Sequence, residues 1–433
     1  MFNRLSKWSK LATVCAIVIA IISIVAIIIP SAASMYNNTN CESRIYKAGI
    51  SSSLSDFSIS VKHVGNIVII PSEFLLKQGI ENKLVKYYLE GRVILILGPN
   101  IDLSHVRKFI DMLTIKLIQE SYRLSPCTIA LAIFNAKGKT AIAEYGTVNI
   151  LSRRCVVLSR EYIERYLLKY ILNDTRAFVK RVLRDLGAQS RSITYFEIEK
   201  QKGGRVIGFR KIAWYYIDPC GHPLGYGHLY VKLYYVATDK STGKSLFVVY
   251  AESLITDYNK NYECDGYVYG SVMFKNITIV RDALAEKYPY QYVGASGPTE
   301  QADCPSGTLA YSFTISETPG FTITIGHKYG GSSDYAVALK WVVSTLTHRE
   351  AVVNEFVACK PEKYQGRTGY GDTLVEMIGY EPVHAKVWVE QWILVEVRPS
   401  WWPWYFEVEK GPFKTTCKLE MYSDKAIVKC NLS

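Results

Sequence analysis

The sequence predicts an α+β multidomain protein: an N-terminal transmembrane helix, a small α/β domain, then an antiparallel β-sandwich. Three observations predict it. An uncharged apolar run opens the chain, residues 61–190 alternate apolar strand-like runs with helix-period segments, and residues 191–433 read as short strands punctuated by Gly, Pro and Asp.

The opening run is read first. Arg4, Lys7 and Lys10 precede Leu11–Ile29, nineteen residues without a charge, ending at Pro30. A helix of that length spans roughly 28 Å, close to one hydrocarbon core. Residues 1–10 then form a basic cytoplasmic flank, 11–30 a membrane anchor or uncleaved signal, and 31–60 a polar stalk. Cleavage at the small residues Ser31-Ala32-Ala33-Ser34 is the alternative. The expected localisation is a cell membrane, crossed once, with the bulk of the chain extracellular.

Such a compartment suits the cysteines. Nine of the ten lie beyond the apolar run and none forms a C-x-x-C pair, so disulfides are expected before zinc ribbons. One pairing follows from register. A two-residue turn at Ser423-Asp424 sets Tyr422 opposite Lys425 and, counting outward, Cys417 opposite Cys430, with Leu419, Met421, Ala426 and Val428 on the same face. Four N-x-S/T sequons, at Asn37, Asn173, Asn276 and Asn431, are glycosylation candidates.

In the α/β region, Ile67–Ile70 is an apolar strand and Leu75–Leu89 has helical spacing. Arg92–Leu97 is a fully buried type of strand, and a further helix runs from an Asp102 or Ser104 cap to about Ser121. Strands follow at Thr128–Phe134 and Thr140–Tyr145. A long helix spans Ser159–Leu186, with Ser159 as N-cap and Gly187 as stop. The unit Ile67–Asn100, a strand, a helix ending in Glu-Gly, a buried strand and a Gly-Pro turn, resembles the flavodoxin-like and class I amidotransferase-like group. The resemblance implies a flavodoxin-like βαβ domain. It implies no activity, because the Gly98-Pro99-Asn100 turn lacks the cysteine nucleophile that catalytic amidotransferases carry.

Further on, hairpins are expected at Gly227–Thr238 with Lys244–Thr256 and at Thr308–Ser316 with Phe321–Lys328. Strands follow at Tyr335–Leu346 and Val387–Val397, and a short helix at Ile279–Tyr288.

Chemistry is sparse. There is no G-x-G-x-x-G, no G-x-x-x-x-G-K-[ST] and no G-x-S-x-G, so no cofactor and no catalytic residue is assigned. Cys220, His222 and His228 are weak metal candidates, set against a plain turn and disulfide. Glu252, Asp257, Asp265 and Glu390 are the carboxylates that a hydrolase could use. Trp401, Trp402, Trp404 and Tyr405 are ligand-contact candidates, with a buried core plug as the other reading.

The net charge is +12, and residues 153–211 hold fifteen Lys/Arg against six acids. That segment is either a solvated helix face or a dock for an anionic glycan or envelope protein. Export disfavours nucleic acid, and a homo-oligomer fits. The expected function is a membrane-anchored surface protein with a structural or adhesive role in an envelope, appendage or virion surface. An extracellular polymer hydrolase is the alternative.

Overall fold

The computed structural model describes residues 62–76, 80–98, 101, 127–187, 205–297, 310–318, 321–328, 335–343, 349–358 and 369–432. The region expected as anchor and stalk, the helix expected over 102–121, Asn37, Cys41, Cys304 and Cys359 lie outside the described residues.

Nineteen described strands carry the fold. They are β1 (Lys62–Val64), β2 (Ile67–Pro71), β3 (Val93–Leu97), β4 (Thr128–Ala136), β5 (Lys139–Asn149), β6 (Arg205–Ile217), β7 (Pro223–Thr238), β8 (Ser245–Asp257), β9 (Tyr262–Cys264) and β10 (Tyr267–Asp282). Then come β11 (Tyr292–Gly297), β12 (Ala310–Thr318), β13 (Phe321–Lys328), β14 (Tyr335–Val343), β15 (Arg349–Ala358), β16 (Gly369–Gly379), β17 (Val383–Pro399), β18 (Phe406–Met421) and β19 (Ala426–Leu432). Helix α1 (Ile80–Leu89) follows β2. Between β5 and β6 lie α2 (Arg160–Tyr162), a π-helical turn (Ile163–Leu167) and α3 (Leu168–Gly187).

Seventeen strands join one hydrogen-bonded network, and β12 with β13 forms a separate pair. One layer runs β1 to β8 in chain order and continues through β16 to β11. The other is β14–β15–β10–β17–β18–β19. Buried Gln391 of β17 ties them: its amide donates to Ser253 Oγ at 2.7 Å and to the Leu254 carbonyl at 2.9 Å.

The expected fold class is corrected. The protein is dominated by β-strands. It is not a flavodoxin-like domain, and no transmembrane helix precedes it among the described residues. The β2–α1–β3 unit does pair in parallel, but β3 meets β4 antiparallel, as β4 meets β5. A doubly wound sheet would continue in parallel. The misleading signal was burial. Ile94, Ile96, Val68 and Ile70 pack beneath α1 with Leu84 and Tyr88. Leu95, Ile69, Ala132 and Phe134 face the core that holds Phe178 and Val182 of α3. Strands covered on both faces lose their alternation whether their neighbours run parallel or antiparallel.

The helix expected at Ile279–Tyr288 is also corrected, since β10 runs through Asp282. There β10 pairs with β15 on one side and β17 on the other, so Ile277, Ile279 and Arg281 are all fully buried. Single-pass anchoring, and the localisation and membrane partnership drawn from it, are corrected likewise. Among the described residues no helix is long and apolar enough to cross a membrane.

Candidate functional site

One end of the double layer gathers aromatic side chains. There β17 ends and β10 begins, with Tyr267 opposite Pro399, and β8 ends at Asp257 where β7 begins, near Gly225. The β17–β18 turn, residues 400–405, is held firmly. The Ser400 amide donates to the Gly266 carbonyl at 2.8 Å and the Trp402 amide to the Pro399 carbonyl at 3.0 Å. Arg398 Nη1 donates to the carbonyls of Trp402 at 2.7 Å and Ser400 at 3.3 Å, while its guanidinium lies 5.1 Å from the Tyr405 ring centre.

On that frame Trp401 is 75% exposed and Trp404 67% exposed, with Phe406 beside them at 55%. Trp402, half-buried, stands edge-on to both, at 5.6 Å from Trp401 and 5.3 Å from Trp404. Two indoles in water are costly unless something covers them. The four ligand-contact candidates therefore share one turn, and two of them, Trp401 and Trp404, are solvent-facing.

The same end carries a second aromatic group. His222 stacks on Tyr262 at 4.7 Å, Tyr166 lies edge-on to His222 at 5.9 Å, and Tyr170 stacks on Tyr258 at 4.1 Å. Disulfide Cys220–Cys264 pins these turns together. That bond bears on the metal candidates. Both sulfurs bond each other, His222 Nδ1 is 2.9 Å from Asp218, and His228 lies elsewhere, in the network described next. No thiolate is left there to hold a metal. Bonds Cys127–Cys155 and Cys417–Cys430 complete the disulfides among the described residues.

The second concentration of polar groups is buried, and sequence reading missed it. Lys211, Tyr230, Glu252 and Asp372 stand opposite one another across β6, β7, β8 and β16. Asp174, Phe178, Arg181 and Asp185 of α3 share the helix face laid over them. Arg181 Nη1 and Nη2 reach the two oxygens of Glu252 at 2.6 and 2.5 Å. His228 Nε2 lies 3.1 Å from Glu252, and the Tyr370 hydroxyl donates to it at 2.8 Å. Lys211 Nζ and the Tyr226 hydroxyl donate to Asp174 at 2.6 and 2.7 Å, and Lys232 Nζ sits 2.9 Å from Asp185.

Burial opposes ionisation of Glu252, but Arg181 and His228 outweigh it and hold the carboxyl well below its ordinary range. Burial, reinforced by Lys211, pushes the His228 imidazole down. Burial lowers Lys232 to about 8 despite Asp185. A carboxylate so firmly ionised and so fully hydrogen-bonded is a poor general acid. The other hydrolase candidates lie apart: Asp257 accepts from the Val272 amide, Asp265 sits in the β9–β10 turn, and Glu390 pairs with Lys414 at 2.7 Å. The network is a clasp that seats α3 on the sheet.

The same geometry absorbs much of the basic segment. Arg210 pairs with Glu144 at 2.6 Å, both buried. Arg160 bridges Glu73 and Glu164, and Arg153 and Arg205 donate to the carbonyls of Gly411 and Ser423. These pairs occupy part of the basic segment expected to be a solvated face or a dock for an anionic partner. Of the sequons, Asn431 and Asn173 are exposed, and Asn276 donates to Glu355.

No family model matches the chain, and no curated protein matches it. Among solved structures, the delta-toxin of Clostridium perfringens aligns at 9% identity and TM-score 0.33, covering 54% of this chain and 99% of that one. A structure described as a pore forming protein aligns at 10% identity and TM-score 0.32, covering 55% and 99%. The NetB toxin of Clostridium perfringens in its membrane inserted form aligns at 7% identity and TM-score 0.29, covering 46% and 94%. Likeness at this level transfers no activity.

Proposed function

We propose that the chain is a binding protein of adhesive or structural type. Its aromatic turn at residues 400–405 docks on carbohydrate presented by a cell envelope, appendage or virion surface. The supporting observation is the rigid display of Trp401 and Trp404, two exposed indoles on a turn locked by Arg398 and by the Gly266 carbonyl. Indole faces stack on the apolar faces of sugar rings, and a turn already ordered loses little freedom on binding. Screening the protein against immobilised glycans tests the reading. Retention of one glycan class that weakens on replacing either exposed tryptophan supports it. Equal retention by wild type and by Trp401→Ala/Trp404→Ala refutes it.

A further inference from the structure

The pair β12–β13 stands apart: it hydrogen-bonds to no other described strand. Phe313 is opposite Ile325, Thr314 opposite Thr324 and Ile315 opposite Ile323. Neighbours along a strand alternate faces, and cross-strand partners share one. Tyr311, Phe313, Ile315, Ile323 and Ile325 thus occupy positions of one face, with His327 at its base. Ser312, Thr314, Thr324 and Gly326 occupy positions of the other.

A lone two-stranded sheet is marginal in water. A solvent-facing strand of a soluble sheet ordinarily carries charges, lysine above all. Here the charges stand only at the ends, Glu317 near the turn and Lys328 at the base, and the polar face between them is hydroxyl and glycine. The strands are nine and eight residues long, near the length of about 9–11 residues that a tilted strand needs to cross a bilayer.

Topology adds the direction. β8 runs toward the aromatic end, so antiparallel β16 runs away from it and β11 runs toward it. β10 runs away from that end, so β15 runs toward it and β14 away. The chain therefore leaves the sheet after β11 heading for the aromatic end and re-enters at β14 from the same direction.

We propose that the β12–β13 hairpin enters a lipid bilayer, its Tyr/Phe/Ile face toward hydrocarbon and its Ser/Thr/Gly face toward water. Inside a bilayer every backbone polar group must be paired, and one hairpin has two open edges. The same hairpin from further copies of this chain satisfies both edges by closing a barrel. The partner is thus the chain itself. This step rests on residues distinct from the tryptophan turn and stands or falls apart from it.

The test uses the full chain and vesicles of phosphatidylcholine and phosphatidylglycerol loaded with a self-quenched dye. Wild type releases dye and leaves cross-linkable oligomers in the vesicle fraction. Ile315→Lys, on the hydrocarbon face, slows release by at least about tenfold, whereas Thr314→Lys, on the water face, stays within about threefold. If Ile315→Lys fails to fold, Phe313→Lys and Ser312→Lys make the same comparison. Wild type that releases no dye overturns the proposal, and so does equal slowing by substitutions on the two faces.

Discussion

Glu252 shows how much rests on single side chains here. It is 3% exposed, and Arg181, His228, Tyr250 and Tyr370 all direct hydrogen-bonding groups at it. Taking away one partner leaves a buried charge that water cannot reach, and such losses cost about 3–5 kcal/mol. Arg181 is partly exposed, so Arg181→Met falls at the lower end, about 3 kcal/mol, read as a lower denaturant midpoint. The pH response follows from the same group. His228 is held below its ordinary 6.5 in the folded chain, so below that pH the unfolded chain binds a proton that the folded chain refuses. Stability therefore falls as pH drops from 6.5 toward the depressed folded value. Glu252, depressed from 4.5, adds a second loss at lower pH, as protonation releases its ion pair. Thermal melts across this range should show His228→Gln flattening the first decline and leaving the second.

At the scale of elements, the Cys417–Cys430 bond closes β18 on β19 around a thirteen-residue separation. Loop-closure entropy for that length is worth about 3 kcal/mol, so the double serine variant should lose 2–3 kcal/mol in chemical denaturation without a change of fold. This hairpin was legible before any coordinates. The Ser423-Asp424 turn sets Tyr422 opposite Lys425, and the observed register puts Cys417 opposite Cys430. The β7–β8 and β12–β13 hairpins and the helix over 160–187 were legible for the same reason, local turn chemistry and one dominant period. What failed was pairing between distant segments. VILIL at 93–97 signals burial on both faces but not the direction of its neighbours, and nothing local in Ile279–Asp282 reveals that β15 and β17 flank it. The clasp was illegible for a related reason: Asp174, Arg181, Lys211, Glu252 and Asp372 meet only once α3 lies across four strands.

For the whole molecule, two layers of sheet bring the β6–β7, β8–β9 and β17–β18 turns to one end, where Trp401, Trp404 and Phe406 are exposed. The tryptophan cluster was visible as residues, but its exposure was not, since a core plug and a platform have the same composition. The layers pair many of their buried charges, while the tryptophan turn leaves two indoles facing water. The most direct test of that reading is the affinity of the full chain for its retained glycan, before and after Trp404→Ala. Binding through the turn predicts at least about a tenfold loss of affinity, with a denaturation midpoint unchanged because Trp404 is 67% exposed. Unchanged affinity, or a loss of stability matching the loss of binding, would contradict it.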